Sequence, residues 1–328
     1  MKRLLKSIAS GVACLAMLSG AASAQGKPEK TDIIFGLPVT ASTFLPVYLA
    51  KHEGYFKQEG LNLKIVTFHG GTDLVRAMVG GSVDIGMTAL AGITVGIKAG
   101  QPLRVFYGGF NMTVFDWYAV KSIKSMADTK GKRFGISRIG SSTDLLTRYA
   151  LEASGVDPKS VKIVQGGASN PRLAAMDAGQ LDVNIFSPPQ KFTAADKGYN
   201  LIYRQSDIAP DYPFHVFFAT QDFIKAHPNT IKALLRAVVR GIRTAKANKK
   251  LSEQILAKDA GLGEKYAGRT YDDFIGKIYE DGRMPSEAGM KAYWKMGLMS
   301  GKYKTAWPAS RYLDPTFINS YDQWKPAK

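Results

Sequence analysis

The 328-residue chain contains one cysteine, Cys14. A lone thiol makes no internal disulfide and no thiolate metal cluster, so disulfide scaffolds, zinc fingers and iron–sulfur proteins are excluded. After the first 24 residues no stretch approaches the ~18 consecutive apolar residues of a membrane span. Lys and Arg form no run interleaved with aromatics, so the stripe with which a protein tracks nucleic acid is missing. The patterns H-E-x-x-H, G-x-S-x-G and Walker A are absent too. Four histidines, His52, His69, His215 and His227, are all that acid–base chemistry near neutral pH could use.

What is present begins with a leader. Lys2, Arg3 and Lys6 precede an apolar run from Ile8 to Leu18, which is too short to span a bilayer, and Ala22-Ser23-Ala24 supplies an A-x-A cleavage site. Residues 1–24 are therefore expected to be a secretory signal, placing the mature protein in the periplasm. An uncleaved anchor is disfavoured by the short core. A lipoprotein site at Cys14 is disfavoured because Gly11-Val12-Ala13 lack the Leu wanted three residues back and the apolar run continues past it. The chain carries +17 at pH 7 and stays basic without its leader. Much of the excess falls after residue 224, on helical faces, where it reads as solvated surface with a secondary role in attracting anions. At 45% apolar and 22% charged the composition is globular, and the length suggests two domains.

The domains are related to each other. Ile65-Val66 recurs as Ile163-Val164, and Ala77-Met78 as Ala175-Met176. Gly81 recurs as Gly179, and Val83-Asp84-Ile85 as Leu181-Asp182-Val183, all at an offset of 98. Phe35-Gly36-Leu37 is echoed as Phe134-Gly135-Ile136 at an offset of 99. Each copy reads strand, helix, strand, helix, strand: 32–37, 46–53, 63–68, 72–79 and 83–87 in the first, then 133–137, 142–153, 161–165, 171–178 and 181–186. Such alternation predicts an α/β fold of two lobes, each a mostly parallel sheet flanked by helices. The last hundred residues are helical instead. Asn229 is a candidate cap for a helix with one apolar face, Ile231, Leu234, Leu235, Val238, Val239 and Ile242. Further helices are expected at 251–259, 271–280 and 286–299, all packed back on lobe 1. Lobe 1 is then 31–120 with 218–328, lobe 2 is 121–217, and the hinge lies at Tyr118–Ile123 and Phe214–Thr220.

Ligands of open parallel sheets bind beyond the carboxyl ends of the strands. The loops there are small and hydroxyl-rich, and most open a helix, so free backbone N–H groups and the positive dipole end face the cleft. The first copy contributes Thr40, Ser42 and Thr43, then His69, Gly70 and Gly71, then Thr88 and Ala89. The second contributes Arg138, Ser141, Ser142 and Thr143, then Ser169 and Asn170, then Ser187. Singly these are ordinary caps and turns; their recurrence in both copies argues for a site. Arg138, the one cation in these loops, is a candidate bidentate partner for a carboxylate or sulfonate, with a solvent-facing role as the alternative. Phe44, Phe110 and Phe186 flank the loops and could sandwich an organic body, with Asn111 beside them. No metal ligand set and no cofactor motif is found.

At these residues the chain resembles the periplasmic binding proteins of ABC importers that serve sulfonates, taurine, nitrate and thiamine-precursor pyrimidines. The resemblance rests on the strand leading to Phe44, on 50–61 (AKHEGYFKQEGL), on Gly81-Ser82-Val83-Asp84, on 123–132 (IKSMADTKGK) and on Gly179-Gln180-Leu181-Asp182. It implies a type II-like fold whose lobes close on a small molecule, and delivery to a membrane permease by a monomer. It does not imply which ligand. Asp84 and Asp182 belong to the pattern but precede strand cores and read as structural. The anion-binding loops favour a carboxylate or sulfonate over a neutral heterocycle such as a pyrimidine. An enzyme on this fold would need a nucleophile beside a base. Of the histidines only His69 falls in a cleft loop, as a hydrogen-bond donor, and His215, set between aromatics, reads as buried and structural. A gene-regulatory effector domain is disfavoured by the leader and by the lack of a helix-turn-helix.

Overall fold

The structure is a computed structural model that describes residues 26–259 and 263–327. The expected signal, residues 1–24, lies outside the described residues. Among these residues ten strands form two five-stranded sheets. They are β1 Asp32–Leu37, β2 Asn62–Thr67, β3 Ile85–Thr88, β4 Leu103–Phe110, β5 Asp116–Ala119, β6 Arg133–Ile136, β7 Lys162–Gln165, β8 Val183–Phe186, β9 Asn200–Arg204 and β10 His215–Thr220. The first sheet runs β2-β1-β3-β10-β4 and the second β7-β6-β8-β5-β9.

The repeat is visible in the pairing. β1 lies parallel to β2 and β3, as β6 does to β7 and β8. Asp84 accepts from the backbone N–H of Ile34 at 2.8 Å, and Asp182 accepts from that of Arg133 at 2.8 Å, so each copy ties its third strand to its first with the same carboxylate. Both aspartates also hold a cation, Lys30 and Arg133, which keeps them paired and structural.

Each sheet is completed by a strand that has crossed over. β5 pairs antiparallel with β8 and β9, and β10 pairs antiparallel with β3 and β4. The chain therefore changes sheet within 111–115 and 205–214, a few residues ahead of the expected hinge stretches. Tyr118 lies inside β5, and most of Phe214–Thr220 is β10 itself. The cores of both strands are nearly fully buried, Trp117 and Phe217 among the largest enclosed side chains. Burying one such ring contributes about 1.5 to 3 kcal/mol, which makes a packed strand a better use of these residues than a free hinge.

Among the C-terminal helices, Pro228–Ala247 buries the predicted apolar face completely. It packs on the Leu45–His52 helix so closely that a Cβ on Gly241 would sit 2.1 Å from the Pro46 carbonyl oxygen. Its N-terminus is closed from outside: Asn229 is not the cap, and the Glu29 carboxylate accepts from the N–H groups of Asn229 and Thr230 at 3.0 and 2.8 Å. The helix expected at 271–280 is shifted to Glu264–Phe274. The chain leaves it because Ile278 bridges to Phe110 and the Tyr279 N–H donates to the Gly109 carbonyl, so tertiary pairing overrides local propensity. The Glu287–Met299 helix reaches across to the Ser142–Ala153 helix of the second lobe. Among the described residues no helix is long and apolar enough to cross a membrane.

Candidate ligand-binding site

A cavity of about 240 Å³ lies between the two sheets, at the carboxyl ends of the parallel strands. Each loop wall comes from a turn just after a strand. After β1 come Thr40, Ser42 and Thr43, after β2 Gly70 and Gly71, and after β3 Thr88 and Ala89. The second copy gives Ser141, Ser142 and Thr143 after β6, Ser169 and Asn170 after β7, and Ser187 after β8. The structure thus gathers into one cavity all but six of the residues expected from sequence.

The hydroxyls there do not serve as helix caps. The helices Gly71–Val79, Leu90–Lys98, Ser142–Ala153 and Ser169–Asp177 begin at residues that make no side-chain cap bond. By contrast Thr220 and Ser286 cap the helices they precede. Ser137, Ser141 and Thr143 instead bond one another at 2.9 to 3.0 Å, and Ser42 donates to the Pro188 carbonyl of the other lobe at 2.8 Å. No side chain takes the first-turn N–H groups of these helices, although the Leu90 N–H donates to the Pro213 carbonyl at 3.3 Å, and the helix dipoles favour a negative occupant.

The remaining six residues lie elsewhere. Phe44 and Phe186 are wholly buried behind the wall, as is Phe110. Asn111 is buried against the Arg283 carbonyl, to which it donates at 3.1 Å, and is not part of the lining. His69 is exposed and outside the lining. Arg138 is outside the cavity lining and 31% exposed. Its Nε donates to Asp73 Oδ2 at 2.8 Å, joining a lobe 2 loop to the first turn of a lobe 1 helix. Gly70 makes room for this pair, since a Cβ there would meet Arg138 Cγ at 2.7 Å.

Two residues not expected in the site line the cavity: Arg172, not singled out in the sequence, and His215, read there as structural. Arg172 lines the cavity and is fully buried. Its guanidinium donates to the carbonyls of Gly167, Gly135 and Ile185 at 3.1, 3.2 and 2.6 Å and to Ser169 Oγ at 3.1 Å. It also lies 5.6 Å over the Phe186 ring. Burial lowers its pKa to about 9, and no carboxylate offsets that loss. The signal in the sequence was Gly166-Gly167, read as turn chemistry: a Cβ on Gly166 would lie 2.6 Å from Arg172 Cγ.

His215, at the start of β10, also lines the cavity. Its ring sits between Phe44 and Phe214, with centroids at 4.2 and 4.0 Å. Burial pushes its pKa down to about 3, so the imidazole is neutral at ordinary pH. Among the described residues no acidic side chain lines the cavity, and Arg172 is its one cation. The described residues include no cluster of metal-ligating side chains.

Comparison with known proteins places this architecture. The family model described as NMT1/THI5 like matches residues 41–250. A putative binding protein of Brucella abortus is 26% identical over 251 residues, covering 74% of this chain and 75% of its own. A 4-amino-5-hydroxymethyl-2-methylpyrimidine phosphate synthase of Schizosaccharomyces pombe is 25% identical over 207 residues, 59% of each chain. Among solved structures, the alkanesulfonate-binding protein of Xanthomonas axonopodis pv. citri superposes with a TM-score of 0.70 at 19% identity, covering 86% of this chain and 96% of that one.

Proposed function

The chain belongs to the NMT1/THI5-like family and has the periplasmic binding protein fold, and from that premise we propose that it captures a small organic anion for import. The ligand is a carboxylate or sulfonate held between the lobes, and the closed protein, exported by its leader and acting as a monomer, presents it to an ABC permease. One observation carries this reading: the cavity joins uncapped helix N-termini to a buried guanidinium that no protein carboxylate neutralises. An occupant anion completes the charge balance and takes the free N–H groups, and it does so from both lobes only when they are closed. The alkanesulfonate named for the Xanthomonas protein is of the same chemical kind.

An enzymatic use of the cavity, suggested by the yeast synthase, is less well supported. The one imidazole in the lining makes no hydrogen bond to a hydroxyl or carboxylate, so the described residues contain no nucleophile–base pair there. The test is scattering combined with calorimetry. Binding of a small acid should compact the particle with one site per chain, and the acid should be recovered chemically intact. Two sites per chain, no compaction at saturation, or turnover would overturn the proposal.

A further inference from the structure

Resting on the anion reading above, we propose that the ligand carries a second, uncharged hydrogen-bonding group at a distance from its acid, and that His215 recognises it. His215 Nδ1 is closed to solvent and without a partner; among the described residues Nε2 enters no hydrogen bond either, and it is Nε2 that a ligand in the cavity would meet. Buried histidines ordinarily tie one nitrogen to a carbonyl or carboxylate, which fixes the tautomer. Here phenylalanines contact both sides of the ring, Phe44 at 4.2 Å and Phe214 at 4.0 Å. A third phenylalanine would fill that space without burying an unpaired polar group, so the imidazole serves packing poorly. It lines the cavity, as does Thr43, whose Oγ1 is also buried and unpartnered.

The position fits a hydroxyl, an amide or a ring nitrogen. A second anionic group has no second cation to meet, because among the described residues Arg172 is the only charged group in the lining, and an ammonium has no acid there. With its tautomer unlocked, His215 can donate or accept as the ligand requires. It belongs to a strand of the first sheet, whereas Arg172 lies in the second copy. A ligand held at both points bridges the lobes, so recognition and closure are one event.

The experiment uses small acids that differ in one group: benzoate against nicotinate, isonicotinate, 3- and 4-hydroxybenzoate, and hexanoate against 6-hydroxyhexanoate. Each is titrated calorimetrically into the wild type, His215→Phe and His215→Asn. At least one functionalised acid should bind the wild type roughly tenfold or more tighter than its parent, because a site built to hydrogen-bond rejects the analogue lacking the group. The preference should fall below about twofold in His215→Phe and survive in part in His215→Asn. Imidazole ¹⁵N spectra should show one fixed tautomer only when the functionalised acid is bound. Equal binding of parent and functionalised acids, a preference that persists in His215→Phe, or no binding by any functionalised acid would overturn the inference. If the uncharged amides bind in place of the acids, with a preference that still depends on His215, the anion reading fails and the role of His215 stands.

Discussion

Replacing Arg138 should weaken ligand binding only modestly, and replacing Asp73 should weaken it by the same amount. The two side chains meet across the cleft at 2.8 Å and are 31% and 21% exposed. Exposed ion pairs contribute about 0.2 to 1 kcal/mol, and partial burial places this one near the upper end. The pair exists only while the lobes are together, so its loss lowers the ratio of closed to open protein by at most about fivefold, and affinity falls with it. Arg138→Ala, Asp73→Asn and the double variant are compared by calorimetry at low and moderate salt. Each single change should cost about fivefold or less, the double change no more than either single one, and the coupling should shrink as salt screens the pair. A loss beyond about thirtyfold in Arg138→Ala, with Asp73→Asn unaffected, would mean that the guanidinium touches the ligand, and the latch argument would be wrong.

Acid should expose the cost of His215. Its folded pKa near 3 lies below the ordinary 6.5, so between those pH values the unfolded chain binds a proton that the folded one does not. Stability then falls on acidification by up to about 1.4 kcal/mol per pH unit. His215→Phe should flatten that dependence in urea midpoints taken at pH 7 and pH 4.5, and equal slopes would contradict it. Gly241→Ala places a Cβ 2.1 Å from the Pro46 carbonyl and should cost ~1 to 3 kcal/mol of stability in a denaturant melt, with affinity kept. Phe44→Ala should likewise lower stability, by ~3 to 5 kcal/mol, since the ring is fully buried. His69→Gln should change affinity by less than about 0.5 kcal/mol in calorimetry, its side chain being exposed outside the cavity.

What could be read from the sequence was whatever repeats or is local. The offset of 98 pairs Ile65 with Ile163 and Asp84 with Asp182, and these fall on matching strands and matching carboxylate ties. The post-strand loops were legible for the same reason. The crossed strands were not, because Trp117 to Ala119 and Val216 to Ala219 are apolar runs whose partners lie in the other half of the chain, and nothing local names a partner. Arg172 was hidden by its position inside a helix, where a cation reads as solvated; the carbonyls that hold it come from strands 13 and 37 residues away. For Arg138 the sequence left a ligand-facing and a solvent-facing role open, since a loop cation shows its charge but not the Asp73 it pairs with.

The most direct test of the anion reading is mass spectrometry of the small molecules released on denaturing protein purified from the periplasm without added ligand. The account predicts about one small organic acid per chain, with a carboxylate or sulfonate, released intact. A neutral heterocycle or a cation recovered in that amount would contradict it.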